Sequence, residues 1–269
     1  MNKHLIALLS LSLVLSACAD QEANQPEETN DQAQEQVEEP EQPEEVEEEV
    51  EEVEEVTSEP KYELNEANWT LVPIADAPEQ AVLLTIDDAP DTYSLEMAET
   101  LLALEVPAIF FVNGHFIDTD EEKETLRKIY DMGFAIGNHT ETHANLRDSS
   151  EEQQQQEIMT INTTIEEAIG EKPQFFRAPF GVNTDFSKEL VASEGMLLMN
   201  WTYGYDWEAQ YQDASALADI MVNTPYLTNG ANLLMHDREW TAGALEEIVL
   251  GLKEKGYGFI DPKEIQIPQ

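Results

Sequence analysis

Ala81-Val82-Leu83-Leu84-Thr85-Ile86-Asp87-Asp88 runs from an apolar stretch straight into two adjacent acids. A short apolar run of this kind, closed by polar residues, reads as a buried strand. The design recurs: His139-Thr140-Glu141-Thr142-His143, Arg177 and His236 each follow a short apolar run in the same way. Recurrence at several strand ends points to one catalytic site assembled from all of them.

Outward from that stretch, seven apolar runs alternate with helical patterns. The runs are 81–86, 108–112, 134–137, 175–177, 196–201, 231–236 and 257–260. Between them lie helical patterns at 94–105, 120–132, 150–169, 184–193, 215–222 and 241–255. Ser149 or Ser150 can cap the third helix, with Glu152 or Gln153 completing a capping box. Thr241 can cap the last, and Gly256 stands where a left-handed residue ends a helix. Strand and helix in strict alternation predict a parallel α/β architecture, a barrel or a doubly wound sheet. Both place their sites at the carboxyl ends of strands, but a ring of contributing strands favours the barrel. A full eightfold barrel needs ~250 residues, and this domain is shorter.

The two histidines stand four apart, a spacing that would put both imidazoles on one face of a helical turn, able to share a cation. Thr140 occupies the place where the helical metalloprotease motif has Glu, so that motif is excluded. The plain alternative is a pair of surface histidines on a polar loop. Asp87-Asp88 could likewise be a turn and a helix cap. Together, however, two histidines and one Asp satisfy a zinc site with three protein ligands and an open position, leaving the second Asp free as a base. Arg177 ends a buried strand, where its charge requires a carboxylate partner. His236 ends another strand, as a core histidine or as a catalyst. His115 is a lower-ranked candidate.

The first sixty residues differ in kind. Residues 1–17 read as a secretory signal whose apolar stretch, Leu5 to Leu15, is too short for the ~20 residues of a comfortable spanning helix. Leu15-Ser16-Ala17-Cys18 is similar to the lipoprotein signals of bacteria, which makes Cys18 the expected lipidation site and membrane anchor. As the sole cysteine, Cys18 leaves no thiol for a disulfide or a Cys-based zinc site. Residues 18–60 are rich in Glu, Gln and Pro without an aromatic, and read as a disordered acidic tether to a catalytic domain at 61–269. Of 57 acidic residues 19 lie in 20–60, leaving 38 in 61–269 against 12 basic ones, or about −26. A field of that sign excludes nucleic acid as a partner and leaves membrane attachment to the lipid.

Taken in order, these motifs resemble those of the polysaccharide deacetylases, the NodB-homology group or carbohydrate esterase family 4. The resemblance spans 81–262 and rests on Thr85-Ile86-Asp87-Asp88-Ala89, His139 to His143, Arg177 to Gly181, the Asp206-Trp207 pair, and Leu234-Met235-His236. It implies an irregular (β/α) barrel of about seven parallel strands. It also implies metal-dependent removal of N-acetyl groups from an amino-sugar polysaccharide, peptidoglycan first, with Zn²⁺ or another divalent transition metal as cofactor. By the same resemblance Asp88, His139 and His143 hold the metal, Asp87 is the base, Arg177 orients it and His236 is the general acid. The Phe180 amide would serve the oxyanion, and Trp207 and Leu234 would line the acetyl pocket. Two departures stand out. Ala89 replaces a usual glycine, and Gly204 lies near where an upstream Asp is common, which leaves open which acid tunes His236. The alternatives are a non-catalytic wall-binding lipoprotein, a deacetylase of chitin-like or O-acetylated polysaccharide, and a non-haem iron oxygenase.

Overall fold

The structure, a computed structural model, describes residues 59–268. The signal peptide, Cys18 and all but the last two residues of the acidic tether lie outside the described residues. Tyr62–Asn65 (β1) and Thr70–Pro73 (β2) form an antiparallel hairpin ahead of the main sheet. Ala81–Ala89 (β3) is the spine of that sheet, with all nine residues buried. Its side chains alternate with the period of a strand. Val82, Leu84 and Ile86 face the layer under the helices, whereas Leu83 packs inward with Ile109, Phe111, Phe175 and Met199. Because both faces are covered, the run is apolar throughout rather than alternating.

Beside β3 lie, in order, Ile109–Val112 (β4), Ala135–Asn138 (β5), Phe175–Phe176 (β6) and Leu197–Leu198 (β7). On its other flank lies Asn232–His236 (β8), and Gly258–Phe259 (β9) pairs with its first residues. Every one of these pairings is parallel. The helices are Ser94–Ala103 (α1), Asp120–Asp131 (α2), Glu151–Ile169 (α3), Asp185–Ser193 (α4), Ala214–Asn223 (α5) and Glu239–Glu254 (α6). Ser150 and Gln153 form the expected capping box on α3, and Gly256 follows α6 at φ +84°. Thr241, expected as a cap, lies inside α6, whose N-cap is Arg238.

The curled sheet closes irregularly between β7 and β8. The expected strand at 196–201 shrinks to Leu197–Leu198, because the chain beyond it must change partners. Met199 N–H still donates to Phe176 O (2.9 Å), but Thr202 N–H donates to Asn232 O (2.8 Å) and Tyr203 O accepts from Leu234 N–H (2.9 Å). At the amino-terminal end the β1–β2 hairpin packs on the barrel rather than merely leading into it. Tyr62 and Leu71 join the interior cluster, and Leu71 N–H donates to Gly230 O (2.8 Å). These elements form a single α/β domain with a curled parallel sheet.

Candidate active site

Parallel pairing of β3 with β8 sets Asp87 directly opposite His236. Both stand at the carboxyl ends of their strands, on the rim of a cavity of about 430 Å³. Asp88, His139, His143, Phe180, Trp207 and Leu234 line the same cavity. Arg177 lies fully buried beneath it. His115 is elsewhere: its exposed ring lies against Phe116 and near Glu141 O, away from the cavity.

Asp88, His139 and His143 each offer one ligand atom, and these atoms lie within 4.8 Å of one another. His143 Nε2 is 3.5 Å and His139 Nε2 3.8 Å from Asp88 Oδ1. His139 Nδ1–H donates to Arg177 O (2.7 Å), which fixes the tautomer and turns the Nε2 lone pair toward the cluster. Burial pushes both imidazoles below their ordinary pKa, so they stay neutral and able to ligate. For Asp88 burial works upward, but the charges of His236 and Arg238 oppose it and the carboxyl is held below its usual range. Two neutral imidazoles and a carboxylate suit a divalent transition metal.

The histidines do not meet on a helical turn. They sit in a loop in which Thr140 (φ +71°) and His143 (φ +59°) are left-handed, and Asn138 Oδ1 accepts from Thr140 N–H (2.8 Å) to hold the bend. Asp88 (φ +60°) and Phe180 (φ +59°) are left-handed too. Such backbone costs roughly 1–2 kcal/mol per non-glycine residue. Four of the six described residues of this kind surround the site.

Arg177 finds the carboxylate its burial requires. Nη1–H donates to Asp87 Oδ1 (2.7 Å) and Thr85 Oγ1 (2.8 Å), and Nη2–H to Asn200 O (3.0 Å) and Asn232 Oδ1 (3.2 Å). The guanidinium also lies 4.3 Å from the centre of the Phe111 ring. Burial pulls the Arg177 pKa down and Asp87 pulls it back up. Asp87 Oδ1 is thereby committed, while Oδ2 faces the cluster, 3.5 Å from His139 Nε2.

The acid paired with His236 is Asp206. Its Oδ1 accepts from His236 Nδ1–H (2.7 Å), and its Oδ2 from His236 N–H (2.6 Å) and Thr241 Oγ1–H (2.9 Å). Burial lowers the His236 pKa, but the Asp206 carboxylate, aided by Asp87 and Asp88, raises it above the ordinary value. Thr241 therefore spends its hydroxyl on the carboxylate instead of capping a helix. Gly204 has a steric reason. A Cβ there would lie 2.4 Å from Leu234 O and 2.8 Å from the Trp207 ring, so only glycine lets the chain pass between the two pocket walls. The Trp207 indole meets His236 edge-on at 5.6 Å.

Sequence reasoning missed two residues beside His236. Arg238 Nη2–H donates to Asp88 Oδ2 (2.7 Å), fixing which oxygen faces the histidines. Asp237 accepts from the Tyr93 and Ser94 amides and the Ser94 hydroxyl at the start of α1. The Asp-Arg dipeptide after His236 was the available signal, but its partners lie over 140 residues away.

The sequence profile of the polysaccharide deacetylases matches residues 75–199. Over that stretch the chain resembles this family. Among its relatives, the polysaccharide deacetylase of Bacillus subtilis named peptidoglycan-N-acetylmuramic acid deacetylase PdaA is 27% identical over 207 residues, covering 72% of this chain and 77% of that protein. A family 4 carbohydrate esterase from Streptomyces lividans, solved in complex with acetate, superposes with a TM-score of 0.61 at 26% identity, covering 67% of this chain and 92% of the other. A family 4 pseudoenzyme from Bacillus anthracis superposes with a TM-score of 0.63 at 27% identity, covering 70% and 67%. The polysaccharide deacetylase fold of these neighbours is the curled parallel sheet described above.

Proposed function

We propose that this chain is a metal-dependent N-deacetylase acting on the amino sugars of peptidoglycan. The observation that carries the proposal is the convergence of Asp88, His139 and His143 beside an acid, Asp87, that keeps one oxygen free. Zinc, or another divalent transition metal, bound there would polarise the acetyl carbonyl and lower the pKa of attacking water. Asp87 takes the proton of that water as its oxygen bonds to the carbonyl carbon, and Arg177 holds the carboxylate in place. The Phe180 amide donates to the oxygen that gains charge. His236, held by Asp206, gives a proton to the nitrogen as the C–N bond breaks, which releases acetate and a free amine. Trp207 and Leu234 enclose the acetyl methyl. Each acid–base transfer contributes roughly 10²–10⁴ in rate.

Peptidoglycan is supported by the names of relatives and by the sequence of the amino-terminal segment. A lipid on Cys18 and a tether over 18–60 would hold an exported domain against the wall while its negative charge keeps it off anionic surfaces. The likeness to a pseudoenzyme supplies a competing reading, a wall-binding protein without turnover. The test is acetate release from peptidoglycan, chitin oligomers and acetylxylan, before and after chelation and zinc reloading. Zinc-restored release, greatest on peptidoglycan, is expected. Silence on all three substrates with metal loaded favours the wall-binding protein.

A further inference from the structure

A second cavity of about 430 Å³ shares a thin wall with the first. Phe180 and Trp201 face the catalytic side, and their chain neighbours Gly181 and Asn200 face the other. Its lining is unusual for so acidic a domain. Arg147, which follows the histidine loop, and Lys188, on α4, both reach it. Neither side chain has an ion-pair or hydrogen-bond partner among the described residues. Glu66 is the one acid in the lining. Two further groups await a donor. Asn183 and Asn200 both turn their amide N–H toward Gly181 O, and the Oδ1 of each is buried without a partner. Unpartnered buried acceptors are uncommon in folded proteins, and a bound hydroxyl or amide would satisfy them. Trp69 supplies an aromatic wall.

We infer that this cavity is an anion-accepting saccharide subsite, which takes the carboxylate-bearing sugar next to the one being deacetylated. The inference rests on the proposed deacetylation, because only that reading puts a saccharide in the adjoining cavity. The carboxylate meets Arg147 and Lys188, sugar hydroxyls donate to Asn183 and Asn200, and a sugar face lies on Trp69. The chemistry fits a lactyl ether acid of the muramic type, and a neutral chitin oligomer leaves both cations unused.

The test is direct binding to the full chain, by calorimetry, of a glycan tetrasaccharide with free lactyl carboxylates and of the same tetrasaccharide with those groups converted to carboxamides. The two ligands share shape and differ in charge. Wild type should bind the carboxylate form about tenfold more tightly, as two partly solvated ion pairs allow. The double variant Arg147→Gln/Lys188→Gln, altered only at exposed positions, should bind both forms alike and keep its melting temperature. Equal binding by wild type, or discrimination retained by the variant, overturns the subsite. Acetate release is measured separately. Its absence with discrimination intact refutes deacetylation and leaves the anion site standing.

Discussion

Replacing Asp206 by Asn tests how His236 is held as an acid. The wild-type carboxylate is fully buried and accepts three hydrogen bonds, from His236 Nδ1–H, His236 N–H and Thr241 Oγ1–H. An amide offers one acceptor oxygen where the carboxylate offers two, so at least one donor loses its partner, at about 1–3 kcal/mol. For a domain of this size that lowers Tm by roughly 2–12 °C. The catalytic effect is separate. Without the Asp206 charge, burial acts on His236 unopposed by its main partner, and its pKa falls. In the proposed mechanism His236 acts when protonated, so activity should decline as pH rises through its pKa, and the alkaline limb of kcat/KM should move to lower pH. At neutral pH the loss should approach the ~10²-fold of a general acid. The linked stability has the same sense: a pKa raised by folding stabilises fully below the unfolded value of about 6.5 and is lost as pH rises through the folded one. The variant should therefore lose less stability than wild type over that window. Acetate release across pH, with metal content measured in parallel, decides the matter. An unmoved alkaline limb with metal intact would refute the assignment of Asp206.

Asp87→Asn should keep its metal but lose deacetylation by at least ~10²-fold, whereas His139→Ala should lose both metal and turnover. Metal analysis beside acetate release separates the two, and normal turnover by Asp87→Asn would remove the base. Arg177→Met leaves Asp87 buried beside an uncharged neighbour and should destabilise by about 3–5 kcal/mol, measured by urea unfolding. Gly204→Ala drives a methyl into Leu234 O, a backbone atom that cannot swing aside. It should cost about 1–3 kcal/mol and reduce acetate release at unchanged metal content.

The buried strands were legible because β3 and β4 are covered on both faces and their apolar runs are unbroken. The α3 capping box was legible because its partners are three residues apart. What escaped depended on distant chain. Asp237 caps α1 from across the sheet, and Thr241 looks like a helix cap until Asp206 is folded against it. The histidine pair was found by spacing, although its geometry was not. Four residues apart suits a helical turn, but left-handed Thr140 and His143 bring the rings together by a tight loop, which periodicity cannot reveal. The weak strand at 197–198 read as a longer one because the segment after it still bonds, to a different neighbour.

Asp87 and His236 face one another as paired residues of two adjoining parallel strands. The spacing between the two proposed proton carriers is therefore written into the hydrogen-bond lattice of the sheet, and no lid or hinge has to bring them together. Loops around the rim can lengthen, shorten or exchange their side chains, changing which polymer is admitted, while the pair keeps its separation. Selectivity and proton traffic can then evolve on different parts of the chain.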